Sequence, residues 1–119
     1  MKEYPIVPVA KPRMTQRDKW ARRPPVVRYF MFKADCQIAG VTVNPSGDHV
    51  TFIIPMPHSW SKKKRANLDG KPHQLKPDID NLTKALFDAV LEQDCGVWDH
   101  RATKRWGMEG KIIIQSKEG

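Results

Sequence analysis

The chain has 119 residues, with 21 Lys+Arg against 13 Asp+Glu, so 21 − 13 gives a formal charge of +8 with the histidines neutral. That length suits one domain, and a hydrophobic fraction of 39% leaves room for a modest core. No apolar run nears the ~18 residues of a transmembrane helix, the opening residues lack the apolar region of a secretory signal, and Cys36 and Cys95 do not form a CxxC pair. A membrane protein, a zinc finger and a disulfide-stapled secreted miniprotein are thereby excluded, and a reducing, cytoplasmic setting is expected.

Tyr4 to Val9 is apolar but interrupted by Pro5 and Pro8, which predicts an edge strand or an irregular one. From Lys11 to Arg28, the cations Lys11, Arg13, Arg17, Lys19, Arg22 and Arg23 mix with Pro12, Pro24, Pro25 and Trp20, the composition of a basic loop. Val27 to Ala39 has no turn residue, and Phe30, Met31, Ala34 and Ile38 suit a helix that Gly40 stops. Asn44 to Asp48 reads as a turn, and His49 to Pro55 as a β-branched and aromatic strand. Residues 56–77 read as a long loop holding a second basic block, Lys62, Lys63, Lys64 and Arg65, with Trp60 before it and Lys76 after it.

Asp80 to Leu91 predicts a helix, because Leu82, Ala85, Leu86, Ala89 and Val90 make one core-facing stripe. Ala102 to Trp106 and Lys111 to Gln115 read as two strands, joined by a hairpin turn at Gly107 to Gly110. The order β-α-β-α-β-β predicts an α+β fold, one small domain with two helices packed on a small mixed sheet.

The charge is uneven along this order. Residues 1–75 carry 14 basic and 5 acidic side chains, a net +9, whereas residues 76–119 carry 7 and 8, a net −1. Basic residues interleaved with Trp can grip phosphates and stack on exposed bases. The plainer readings are a cationic surface that aids solubility and tryptophans folded back onto the domain. Two such blocks in the loops of one small domain favour contact with a polyanion.

The acids gather at the helix. At 100° per residue Asp80, Lys84 and Asp88 share the face away from the apolar stripe, Asp78 lies just before the first turn, and Asp99 follows downstream. Capping explains one Asp at a helix N-terminus, and i, i+4 pairing explains Lys84. Two Asp residues at one N-terminus with a third to follow are more than capping requires, and the sharper reading beside capping is a site for Mg²⁺, a hard cation held by carboxylates and substrate phosphate. Such an ion polarises a phosphodiester and activates a water, while Lys84 would stabilise charge on the pentacovalent phosphate. His58, His73 and His100 lack zinc-ligand spacing, although His73 and His100 flank the acidic elements and are candidates to touch substrate. There is no Gly-rich phosphate loop and no nucleophile elbow.

The run Lys76-Pro77-Asp78-Ile79-Asp80-Asn81-Leu82-Thr83-Lys84-Ala85-Leu86-Phe87-Asp88-Ala89-Val90 resembles the signature of the RusA family of Holliday-junction resolvases, endodeoxyribonucleases common in phages and prophages. Val9 to Thr15 and Pro57 to Lys64 are similar to phage-type members, so the likeness covers nearly the whole chain as a single RusA-like endonuclease domain over residues 1–119. The resemblance implies a Mg²⁺-dependent homodimer, with Mn²⁺ as a substitute, that nicks four-way DNA junctions symmetrically in recombination and repair. It would act in the cytoplasm, that of the host if phage-encoded. Asp78, Asp80 and Asp99 match the three metal-binding aspartates, with Asp94 the alternative for the third, and Lys84 matches the essential lysine. Asp88 would be structural or supporting. Lys11, Arg13, Arg17, Lys19, Arg22, Arg23, Lys62, Lys63, Lys64, Arg65 and Lys76 are the candidate DNA contacts. The competing reading is a non-catalytic basic or architectural protein for branched DNA, its aspartates serving as caps.

Overall fold

The computed structural model describes residues 1–13 and 23–116. Strands β1 (Lys2–Tyr4), β2 (Ser46–Pro55), β3 (Asp99–Gly107) and β4 (Lys111–Gln115) form one mixed sheet in the order β1-β4-β2-β3. Helices α1 (Pro24–Ile38), α2 (Lys62–Leu68) and α3 (Ile79–Val90) complete the described elements, with a single 3₁₀ turn at Asp94–Gly96. The fold is α+β with helices on a mixed sheet, as expected, but the described residues hold three helices rather than two.

The core lies between the sheet and the pair α1 and α3. Val50, Phe52, Ile112 and Ile114 project from the sheet into a cluster with Leu82, Ala85, Leu86 and Ala89 of α3, the stripe expected for that helix. The face expected for α1 is wrong. Val26, Tyr29, Phe32 and Cys36 are buried, while Phe30, Met31 and Ile38 are exposed. The helix carries two apolar stripes, and its first turn starts at Pro24, where a missing N–H costs nothing. That earlier start brings Val26 into register with Tyr29 and Phe32. Gly40 does stop the helix: its φ of 69° lets the Val41 N–H reach back to the Cys36 carbonyl at 3.0 Å, a Schellman closure.

Three further expectations are corrected. The first strand ends at Tyr4 rather than running to Val9, because Pro5 has no N–H for the ladder and the Ile6 N–H turns back to the Tyr4 carbonyl at 2.8 Å. Residues 56–77 are not structureless, since Ser61 caps α2 by accepting from the Lys64 N–H at 3.1 Å. Gly107 to Gly110 is not a hairpin, because β3 and β4 are not neighbours. β3 runs parallel to β2, and β4 lies antiparallel to β2 on its other side. The link steps across the end of β2, and glycine is needed there for close approach: a Cβ on Gly107 would sit 2.2 Å from Cγ2 of Ile53, and one on Gly110 2.7 Å from Cγ2 of Val7.

Gly70 to His73 runs along the outer edge of β3. The Gly70 N–H donates to the Trp106 carbonyl, the Trp106 N–H to the Lys71 carbonyl, and the His73 N–H to the Lys104 carbonyl. Trp106 stacks against Trp60 at 4.9 Å and His73 at 4.2 Å, which fixes this segment and the approach to α2. Over residues 101–103, β3 pairs with β2, and among the described residues no strand lies on its outer edge.

Candidate functional site

Helix α3 presents its N-terminus to solvent, with Asp78 at the N-cap and Asp80 in the first turn. Both are exposed. Asp78 has the extended backbone of a cap residue, yet its carboxylate makes no capping hydrogen bond. Asp80 accepts from the Asn81 N–H at 3.0 Å through one oxygen. A capping role thus leaves the Asp78 side chain unaccounted for. One turn along, Lys84 is exposed, and among the described residues neither Asp80 nor Asp88 forms an ion pair with it.

Asp88 is engaged elsewhere. Its Oδ2 meets Lys11 Nζ at 2.7 Å and accepts from the Tyr29 hydroxyl at 2.6 Å. Burial pushes its carboxyl up, but the hydrogen bonds from Lys11 and Tyr29, with the Lys11 and Lys33 charges, outweigh that and hold it below its ordinary value. The same burial and the Asp88 charge push the Tyr29 hydroxyl up. The Lys11 N–H donates to the Asn81 carbonyl at 3.0 Å, so the start of the first basic block is fastened to α3 at two points. Lys11 is held as an ion-pair partner, which sets it apart from the other candidate phosphate contacts.

Asp99 opens β3, partly buried and paired with Ser46. The strand and α3 run in opposite directions: Phe87, late in the helix, meets His100 edge-on at 4.9 Å, and Lys104, further up the strand, donates to the Pro77 carbonyl at 2.8 Å. Asp99 therefore stands roughly 17 Å along the strand from Lys104 and the helix N-terminus beside it, taking the usual strand rise per residue. Asp94 sits in the exposed 3₁₀ turn beyond the helix C-terminus. Among the described residues no three His, Cys, Asp or Glu side chains converge as a metal site. Asp78 and Asp80 share the N-terminus of α3, whereas Asp94 and Asp99 stand away from it.

Of the basic residues, Lys62, Lys63 and Lys64 stand exposed on α2, with Lys64 Nζ 4.0 Å from the centre of the Trp60 ring. Arg65 is half-buried, Lys76 and Arg13 are exposed, and Arg23 donates to the Arg13 carbonyl at 3.2 Å, closing the base of the first block. Arg17, Lys19, Trp20 and Arg22 lie outside the described residues. Trp60 is folded back on Trp106, the plainer of its two readings. His73 is 3% exposed and walled by Trp106; burial, and after it the Lys104 charge, keep it below its ordinary pKa. His100 is likewise half-buried, and burial lowers it first, then the His49 charge. The sequence reading singled out no role for Lys104, whose ammonium donates to the Leu75 and Pro77 carbonyls.

Exposed cations on α2, two exposed carboxylates at the head of α3 and a mixed sheet behind them define a small α+β protein. The family model for endodeoxyribonuclease RusA matches residues 4–116, and the chain belongs to that family of Holliday-junction-resolving endonucleases. No curated protein and no solved structure matches the chain. No described helix is long and apolar enough to cross a membrane.

Proposed function

We propose that this protein, as a single domain, is a Mg²⁺-dependent resolvase that cuts four-way DNA junctions by paired symmetric nicks, in recombination and repair. The observation that carries the reading is the exposed Asp78 carboxylate, at a cap position but not capping, next to Asp80. Two carboxylates with open solvent before them fit Mg²⁺, which takes one or two carboxylates and completes its shell with water and phosphate. When bound, the ion would polarise the scissile phosphodiester and activate water, with Mn²⁺ able to stand in. Asp78 and Asp80 hold it, and Lys84 offsets charge developing on the phosphate. The exposed cations of α2, with Arg13 and Lys76, hold the backbone of the junction, and Arg17, Lys19, Arg22 and Arg23 are assigned the same task.

Asp99 enters this scheme through a homodimer. It is too far along β3 to join Asp78 in its own protomer, and among the described residues no strand pairs with the outer edge of β3 over residues 101–103. A two-fold pairing along that edge runs the partner's β3 in the opposite direction. The partner's Asp99 is thereby carried toward the level of Lys104 and Asp78, and two sites arise per dimer, as paired nicking requires. The protein would work wherever branched DNA arises, the host cytoplasm if phage-encoded.

The test is a labelled four-way junction beside linear duplex of the same sequence, with Mg²⁺ or EDTA. Junction-only nicking that EDTA and Asp80→Asn both abolish is expected; junction binding without cleavage in Mg²⁺ or Mn²⁺ would sink the enzyme reading in favour of a DNA-binding protein. Mixed Asp80→Asn and Asp99→Asn proteins should regain single-strand nicking, because each heterodimer rebuilds one whole site. No regain would put Asp99 outside a shared site.

A further inference from the structure

Lys104 projects from β3 toward the segment that leads into α3. Its Nζ donates to the carbonyls of Leu75 and Pro77, the latter at 2.8 Å. These two carbonyls flank Lys76, and Pro77 immediately precedes Asp78. The grip is supported from below, since the Lys104 carbonyl accepts from the His73 N–H at 3.1 Å and its Cα partner in the central strand is Phe52, fully buried. The other end of the same segment is tied by the Gly70 and Lys71 bonds to Trp106 and by Arg105 Nη1 on the Gly70 carbonyl at 3.0 Å. Between His73 and Asp78 the chain has no strand or helix of its own, so the lysine is what fastens it to the sheet.

We infer that Lys104 is a positioning residue for the carboxylate site: by holding the Leu75 and Pro77 carbonyls it fixes where Asp78 and Asp80 stand and turns the exposed Lys76 side chain outward. The inference rests on the reading of Asp78 and Asp80 as metal ligands. The physical demand is strict, because a carboxylate pair binds a small hard cation well only in near-ideal geometry. An ammonium with three donors can serve both carbonyls at once, which a neutral side chain of the same length cannot.

The experiment compares wild type, Lys104→Met, Lys104→Arg and Asp80→Asn for Mn²⁺ binding, read by electron paramagnetic resonance of the free ion, and for single-turnover nicking of a four-way junction. The methionine variant should weaken Mn²⁺ binding and slow the nick by about tenfold to a hundredfold, the cost of an ångström-scale misplacement. Junction affinity in EDTA should stay within about threefold, since Lys104 is not a phosphate contact. Lys104→Arg, which keeps charge and donors, should recover most of both losses. If the methionine variant does not fold, Lys104→Gln carries the test, its amide still serving one carbonyl, with an intermediate loss expected. A folded Lys104→Met or Lys104→Gln protein with unchanged Mn²⁺ binding and nick rate would overturn the inference alone. Wild type lacking Asp80-dependent Mn²⁺ binding would overturn the metal reading and this inference with it.

Discussion

Lys11 and Asp88 form an ion pair at 2.7 Å that fastens the start of the first basic block to helix α3. The Tyr29 hydroxyl completes the arrangement from α1. Asp88 thus ties three segments together: the stretch at Lys11, α1 and α3.

Asp88→Asn should cost about 1–2 kcal/mol, the worth of a charged hydrogen bond discounted for the partial exposure of both partners. The sign with pH follows from its depressed carboxyl: the contribution is whole above the unfolded carboxylate value of about 3.9 and is lost as pH falls through the lower folded value. Thermal melts between neutral and acid pH check this. Wild type should lose stability into acid more steeply than Asp88→Asn, and parallel curves would contradict the assignment.

Junction binding separates Lys11 from the cations of α2. Lys63→Ala should reduce the slope of log K against log salt by about 0.9, one phosphate contact, with little change in melting temperature. Lys11→Met should do the reverse and lower the melting temperature while leaving the salt slope in place. Titrations at several salt concentrations, read beside melts, decide between the two patterns.

Asp78→Asn should leave stability within about 0.5 kcal/mol, because the residue is exposed and Asn suits an N-cap as well as Asp. Nicking in Mg²⁺ should fall by about a thousandfold, the loss expected when a metal ligand gives up its charge. Retained nicking would return Asp78 to the status of a helix-start residue.

His73 gives a second pH signature. Its pKa is lowered, first by burial and then by the Lys104 charge, so the unfolded chain takes up its proton more readily. Stability from the neutral ring is complete above about 6.5 and declines as pH falls toward the folded value. His73→Phe, which keeps a ring against Trp106, should flatten the fall of melting temperature between neutral and mildly acid pH. His49 and His100 are lowered as well, so a residual slope should persist.

The parts legible in the sequence are those that local rules decide. Leu82, Ala85, Leu86 and Ala89 announce α3 because one stripe has no competitor, and Asp78 with Asp80 marks its start. The α1 face failed because Val27, Phe30, Met31 and Ile38 keep helical spacing as well as Val26, Tyr29, Phe32 and Cys36 do; packing against α3 and the Tyr29–Asp88 bond break the tie. The run Lys62 to Arg65 hid a helix behind its charge, although Ser61 was available as its cap. Glycines at 107 and 110 suggested a turn but serve close passage over Ile53 and Val7. Lys104 was beyond reach, since its acceptors are backbone carbonyls brought in by the tertiary fold.

The place of β4 between β1 and β2 governs how this protein can be made. Among the described strands, β1 stands earliest in the sequence and pairs with β4, which stands latest. Until Lys111 to Gln115 are made, β1 has no described strand to dock on and β2 shows a bare edge beside Phe52, so the sheet closes only once β4 is in place. A chain halted anywhere after Gly107 but before Ile112 would carry every candidate catalytic aspartate and still be a substrate for cellular proteases rather than a nuclease.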